Sequence, residues 1–338
     1  MTSIAPLYAD RSNLLVYKDD EGNPHPVTTA AEWEKRRAHI LLNMQLVMGP
    51  PPDPSRRVPL EVETLEEVPL PGCRRLKITY AAEEGDRVPA YLFMPADLPA
   101  KAPAMLCPHP SGPSGKDQPS GLADKYSQHF ALHLARRGYV TLAPDYPGYG
   151  DYRKCDPYAL GYVSATMKGI WNHMRAVDLL ESLEEVDKDR IGAIGHSLGG
   201  HNSIYVAVFE PRIKAVISSC GFNAFPKYYG GNLAGWSHKG YMPRIAEIYQ
   251  KDPAKMPFDF PEVIATLAPR AFFTNSPVDD INFEVSGVRD CIAAAAPVYR
   301  LLGAADKLVA VYPTGGHDFP DETRNAAYAW LDRQLKPA

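Results

Sequence analysis

Ile191-Gly192-Ala193-Ile194-Gly195-His196-Ser197-Leu198-Gly199-Gly200 is a short apolar run that ends in glycine, passes through a serine and continues into more glycine. This is the pattern of a nucleophile elbow, a sharp turn from strand to helix with the serine at its apex. Glycines two before and two after Ser197 are needed because the serine backbone is strained and side chains on either flank would collide across the turn. The helix it opens, read from Gly199 to about Phe209, aims its first unpaired N–H groups and positive dipole end at the serine, so negative charge forming there is stabilised.

Working outward, short apolar strands alternate with helices: Ala104–Leu106, a helix over about 125–137, Tyr139–Ala143, a helix over about 164–182, then Ile191–Ile194. Such alternation implies right-handed crossovers and an α/β fold with a mostly parallel central sheet flanked by helices. Val163, Met167, Ile170, Met174 and Val177 keep a 3.6-residue period, as for one helix face on the sheet. After the elbow helix come a strand at Ile213–Ser218, an irregular stretch from Gly221 to Pro261, a strand at Ala271–Thr274, a helix over about 285–302, a strand at Leu308–Tyr312 and a closing helix over about 322–335. Phe222, Phe225, Tyr228, Tyr229, Trp236, Tyr241, Phe258 and Phe260 all fall in the irregular stretch, which reads as a cap whose rings, Tyr228, Tyr229 and Trp236 among them, wall a substrate pocket.

N-terminal to this core, Thr29 and Glu32 form a capping box ahead of a helix over 29–48, with Trp33, Ile40, Met44 and Val47 on one face and Gly49-Pro50-Pro51-Pro52 as its stop. Three strands near 60–68, 74–81 and 88–94, parted by Pro71-Gly72 and Glu84-Gly85-Asp86, are expected to pair antiparallel at one sheet edge. The division expected is an accessory extension over 1–72 and a catalytic domain over 73–338, with the insertion at about 221–261.

A serine hydroxyl becomes nucleophilic only when a base takes its proton, and an acid must orient that base. On this kind of fold the order is serine, acid, histidine, with the acid after a late strand and the histidine after the last one. His317, on the turn Gly315-Gly316-His317-Asp318, occupies the base position. The acid lies in Asn275-Ser276-Pro277-Val278-Asp279-Asp280, where the residues alone leave Asp279 and Asp280 equally eligible. Asp318 is a poor third choice, because a neighbour on one tight turn rarely folds back onto its own imidazole. Leu198, directly after the serine, is expected to supply one oxyanion N–H, and the loop Cys107-Pro108-His109-Pro110-Ser111-Gly112 the other. Pro110 has no N–H, which points to Ser111. His109 and His201 flank the expected pocket, and Asp145 reads as a loop-fixing carboxylate.

The segments Gly195–Gly200, Ala143-Pro144-Asp145-Tyr146-Pro147-Gly148-Tyr149-Gly150 and Gly316-His317-Asp318-Phe319 together resemble the α/β-hydrolase superfamily over roughly residues 75–335, and within it the dienelactone-hydrolase-like and acetyl-xylan-esterase-like serine esterases. The resemblance implies the α/β-hydrolase fold, a Ser-His-Asp triad working through an acyl-enzyme, and no cofactor. In relatives sharing a block like Asn275-Ser276-Pro277 followed by Asn282-Phe283, the acid falls at Asp280, and on that ground Asp280 is preferred to Asp279. The chain departs from some relatives: true dienelactone hydrolases have cysteine where Ser197 stands, and Leu198 replaces the Arg of glucuronoyl esterases and the Gln of cephalosporin-deacetylating enzymes.

The expected activity is therefore hydrolysis of small, carbohydrate or aromatic carboxylic esters. A peptidase or amidase with the same triad is the nearest rival, and a binding protein on the same fold a more distant one. The 338 residues carry a net charge of −4 with basic and acidic residues interspersed, so no nucleic-acid partner is expected. Five dispersed cysteines without C-x-x-C spacing argue against a disulfide framework or zinc site. His129 and His133, four apart, lack the intervening glutamate of a metallohydrolase helix, so no metal is expected. No apolar run approaches about 18 residues, and the first ten residues lack a basic start followed by an apolar block, so neither a membrane partner nor a signal peptide is expected and the reading is cytoplasmic.

Overall fold

The structure, a computed structural model, describes residues 6–98 and 101–336. In chain order the elements are β1 Val16–Lys18, β2 Pro24–Pro26, α1 Ala30–Met48, β3 Glu63–Leu70, β4 Cys73–Glu83, β5 Asp86–Pro95, β6 Ala102–Leu106, α2 Phe130–Ala135, β7 Val140–Pro144 and α3 Ala165–Ser182. They continue with β8 Val186–His196, α4 Leu198–Phe209, β9 Ile213–Ser219, α5 Arg244–Glu247, α6 Phe260–Ala265, β10 Ala271–Asn275, α7 Val285–Leu301, β11 Leu308–Val311 and α8 Asp321–Leu335.

These elements divide between two units. One takes the described residues up to Pro51, Tyr162–Met167 and Phe222–His317; the other takes Pro52–Gly161, Lys168–Gly221 and the described residues from Asp318.

In the second unit the strands run in the order β9-β8-β6-β7-β5-β4-β3. From β7 through β6 and β8 to β9 every pairing is parallel, and β5, β4 and β3 add antiparallel. The reason lies in the connections. Hairpins at Pro71-Gly72 and Glu84-Gly85 can join only antiparallel neighbours, whereas helix-bearing crossovers return the chain parallel. Every residue of β6 and β7 is buried, as in strands covered on both faces. β3 lies at the edge with Glu63, Glu66 and Glu67 exposed, charges that discourage pairing with another chain.

Two expected helices differ in the structure. The one read over 125–137 is a 3-10 turn at Tyr126–Gln128 followed by the six-residue α2. His129 separates them at φ −78°, ψ 37°, a non-helical conformation in which its Nε2 lies 2.6 Å from the Ala123 carbonyl. α3 was expected to bury one face, but it is buried nearly all round, with Val163 and Met174 of the expected stripe less buried than residues on the opposite side.

In the first unit, α1 starts on the expected capping box: Glu32 N–H donates to Thr29 Oγ1 at 3.3 Å, and Thr29 N–H to Glu32 Oε2 at 2.9 Å. Trp33, Ile40, Met44 and Val47 are fully buried. The same helix carries Arg36, whose guanidinium lies 2.7 Å from Glu262 of α6 and against the ring of Tyr8, all of them buried. α1 is thereby tied to the insertion-side helix α6. β10 and β11 form a parallel pair in register from Phe272 with Leu308 to Asn275 with Val311. Among the described residues no helix is long and apolar enough to cross a membrane.

The aromatic insertion builds a core of its own. Phe225 meets Phe258, Phe260 and Trp236 at ring-centroid distances of 5.6, 5.5 and 6.3 Å, and Trp236 meets Phe260 at 5.4 Å and Tyr228 at 5.6 Å. Tyr228 and Trp236, expected as pocket wall, are buried inside this cluster. Large rings gain more by leaving water together than by facing it, which is what a helix-poor stretch needs to hold its shape. Tyr229 is the exception among the three and stays exposed.

Candidate active site

β8 delivers Ser197 at φ 54°, ψ −117°, a left-handed conformation that a non-glycine residue adopts only when its surroundings impose it. The imposing contacts are backbone on backbone. A Cβ at Gly195 would stand 2.1 Å from Gly199 O, one at Gly199 2.0 Å from Pro108 O, and one at Gly200 2.8 Å from Gly221 Cα. Three segments thus close on the start of α4, and the Ser197 N–H is tied to the Ser219 carbonyl at 2.8 Å.

In the run Ile191–Gly200 every residue is buried except Ser197. Its side chain makes no capping bond to the helix it starts, so the hydroxyl is not consumed in stabilising α4. Leu198 is the first residue of α4, and its amide is one of those for which the helix has no carbonyl partner. His196 is buried with Nδ1 2.9 Å from Ser219 Oγ.

The loop 107–112 is anchored at Cys107, whose N–H donates to the Leu142 carbonyl at 2.8 Å. It is the Pro108 and His109 carbonyls that border Gly199; Ser111 lies further along and is exposed. His109, expected in the pocket wall, has another task. Its ring is buried, its Nδ1 lies 2.7 Å from Pro110 O, and its Nε2 accepts the Tyr146 N–H at 2.9 Å, so both nitrogens hold backbone. Asp145 fixes the neighbouring loops by accepting from Lys116 N and Nζ, each at 2.8 Å, and from Asp151 N at 3.0 Å. Gly115 and Gly150 are needed there, since a Cβ on either would stand within 2.3 Å of Asp145 Oδ1.

His201 sits one turn into α4, buried beside the Tyr205 ring at 5.8 Å. Burial lowers its imidazole to about 3, against the weaker raising effect of a hydrogen bond with the Gly221 backbone. The unfolded chain therefore takes up a proton near pH 6.5 that the folded protein refuses until about 3. The corresponding stability is complete above that upper value and lost as pH falls toward the lower one, at about 1.4 kcal/mol per pH unit. His201→Asn should flatten the fall of the unfolding free energy from urea titrations between about pH 6 and 4 by this slope. An unchanged slope would contradict the assignment.

In the first unit, the β10–β11 pairing continues past the strand ends. Ser276 N–H donates to Val311 O at 2.9 Å, Val278 N–H to Pro313 O at 2.9 Å, and Asp279 N–H to Gly315 O at 3.0 Å. This zipper carries the acid loop alongside the histidine turn. Asp280 Oδ2 lies 2.8 Å from His317 Nδ1, while its Oδ1 accepts the N–H groups of Asn282 at 2.8 Å and Phe283 at 3.1 Å. Asp279 instead points out to solvent and accepts the Gly315 N–H at 3.1 Å, pinning the turn. Of the two adjacent carboxylates, the one bonded to the imidazole is Asp280.

Burial by itself would raise the Asp280 carboxyl, but the His317 hydrogen bond, the charge that ring can carry and the two backbone N–H groups together hold it below the ordinary range. It is thus suited to stay ionised against the ring. Phe283, which residue-by-residue reading did not single out for contact with the base, lies 5.8 Å from the His317 ring. Its only signal was the Asn282-Phe283 block. Asp318 directs its carboxylate to Ser127 Oγ at 2.6 Å. His129 Nε2 is held by the Ala123 carbonyl, and His133 Nδ1 lies 3.2 Å from Tyr328 Oη.

A mostly parallel sheet flanked by helices, with a strained serine at the strand-to-helix turn after β8, is the architecture of the α/β-hydrolase fold. The fungal glucuronyl esterase family model matches residues 158–303, and the acetyl xylan esterase (AXE1) model matches residues 55–227, more than half of the chain. The chain belongs to the acetyl xylan esterase (AXE1) family and is a carboxylic-ester hydrolase. It is 29% identical to the hydrolase YtaP of Bacillus subtilis (strain 168) over 83% of this chain and 95% of that one. It is also 24% identical to 4-O-methyl-glucuronoyl methylesterase 1 of Wolfiporia cocos (strain MD-104), over 51% of this chain and 46% of that one. A glucuronoyl esterase structure from Solibacter usitatus superposes with a TM-score of 0.75 at 21% identity, over 98% of each chain, a likeness of fold.

Proposed function

We propose that the chain hydrolyses carboxylic esters of carbohydrates, with Ser197 as nucleophile, His317 as general base and acid, and Asp280 as the group that orients the imidazole. The observation that carries this reading is the 2.8 Å bond from His317 Nδ1 to the buried Asp280, on a chain whose serine is held in a strained elbow with its hydroxyl unused by the helix. With Nδ1–H donated to Asp280, the ring exchanges protons through Nε2.

In the first step Ser197 Oγ bonds to the ester carbonyl carbon and its proton passes to His317. The carbonyl oxygen becomes an anion, for which the Leu198 N–H and the Ser111 N–H are the proposed donors. Collapse breaks the bond to the alcohol oxygen of the ester, which leaves with the proton from His317, and the acyl group stays on Ser197. Water then attacks this acyl-enzyme by the same proton route, releasing the acid and restoring the serine. The carbohydrate preference is supported by the family's name and by the Wolfiporia methylesterase among its relatives.

Purified protein assayed against acetylated xylo-oligosaccharides, methyl glucuronate, 4-nitrophenyl acetate and peptide 4-nitroanilides tests the reading. The sugar esters should be turned over with the highest kcat/KM and the anilides with the lowest. Anilides cleaved as well as esters would make the protein an amidase.

A further inference from the structure

We infer that Tyr229 and Asn282 form a platform for a pyranose ring of the substrate, beside the acid loop. This assignment deepens the esterase reading above and rests on it for the identity of the substrate. Four observations meet at these residues. Tyr229 sits at φ 45°, ψ 43°, ahead of Gly230 at φ 65° and Gly231 at φ 91°, so three successive residues are left-handed and only the tyrosine is strained by it. Of these three positions only Tyr229 carries a side chain, so the turn presents a ring at a backbone conformation that glycine would adopt without strain.

Tyr229 is also 53% exposed, in an insertion whose other large rings are mostly buried together, Tyr228 and Trp236 included. The Tyr229 ring is held firmly: its edge packs on Tyr228 at 4.9 Å with the planes at 90°, and its Oη donates to Asn282 Oδ1.

Asn282 joins the ring to the chemistry, because its own N–H donates at 2.8 Å to Asp280 Oδ1, and Asp280 Oδ2 bonds His317. A second route runs through packing, from Tyr228 to Phe283 at 5.8 Å and from Phe283 to His317 at 5.8 Å. The same loop leaves Ile281 83% exposed. A pyranose has an apolar C–H face and a rim of hydroxyls. A fixed aromatic face, with an amide anchored through its oxygen so that its two N–H donors are oriented, matches that pair of surfaces.

The test is calorimetric titration of unesterified xylotetraose into the full chain, a probe that an esterase leaves intact. The wild-type protein should bind it. Tyr229→Gly should weaken binding about tenfold, Tyr229→Phe less, and Tyr229→Trp should retain it. Because glycine relieves the backbone strain, Tyr229→Gly should melt no lower than wild type while binding worse, a combination that a merely structural tyrosine does not produce. Absence of binding by the wild-type chain, or equal binding by Tyr229→Gly, would overturn the inference. Xylotetraose bound as expected by a protein that cleaves no ester would sink the esterase reading and leave the platform standing.

Discussion

Ser197→Ala is expected to lower kcat for 4-nitrophenyl acetate by about a millionfold while the protein folds as before. The size follows from the mechanism: without Oγ no acyl-enzyme forms, and what remains is the modest rate that oriented donors give to water. Retention of the fold follows from the elbow. Ser197 is held by its own backbone N–H on Ser219 O and by glycines meeting backbone at Gly195, Gly199 and Gly200, and its side chain makes no capping bond to α4. Alanine keeps the strained φ of 54°, so melting temperature should stay close to that of wild type. Initial rates and labelling by a fluorophosphonate check the result together. Turnover and labelling that survive the substitution would remove Ser197 from the mechanism.

The second large effect separates two adjacent carboxylates. Asp280→Asn should reduce kcat by about 10⁴-fold, because an amide in place of the carboxylate can donate to Nδ1 and so push the ring proton to Nε2, where it blocks acceptance of the serine proton. Asp279→Asn should cost less than about tenfold, since Asp279 is exposed and only pins the Gly315 N–H, a bond that the asparagine carbonyl can still accept. The two variants need only parallel kcat and KM measurements on one ester. A larger loss at Asp279 than at Asp280 would reverse the roles proposed for them. The Asp280 carboxyl, held below its ordinary range, also contributes stability that is present above about pH 4 and lost as pH falls through its folded value, and Asp280→Asn should abolish that part of the acid sensitivity.

Several features of this protein are properties of a few neighbouring residues and were readable without coordinates. Thr29 and Glu32 cap α1 because a hydroxyl and a carboxylate three residues apart reach each other's amides. Pro71-Gly72 and Glu84-Gly85 turn hairpins because of their own backbone preferences. The elbow around Ser197 is written in its glycines, since only residues without Cβ allow strand, helix and loop to meet there. The sequence order of serine, acid pair and histidine was equally plain.

Other features belong to contacts between residues distant in sequence, on which local pattern is silent. Asp279 and Asp280 are chemically identical neighbours, and only the backbone zipper that carries 276–279 along 311–315 turns one to solvent and the other onto His317. The residues of the insertion announced a cluster of rings, yet nothing in their spacing separates the buried Tyr228 and Trp236 from the exposed Tyr229. His109, expected in the pocket, instead accepts the N–H of Tyr146, 37 residues further along the chain. Local chemistry determined which residue types this protein has for its work and in what order they come. The direction each side chain faces was decided by packing and by hydrogen bonds that exist only once the chain has folded, because burial and satisfied polar groups are properties of the assembled structure.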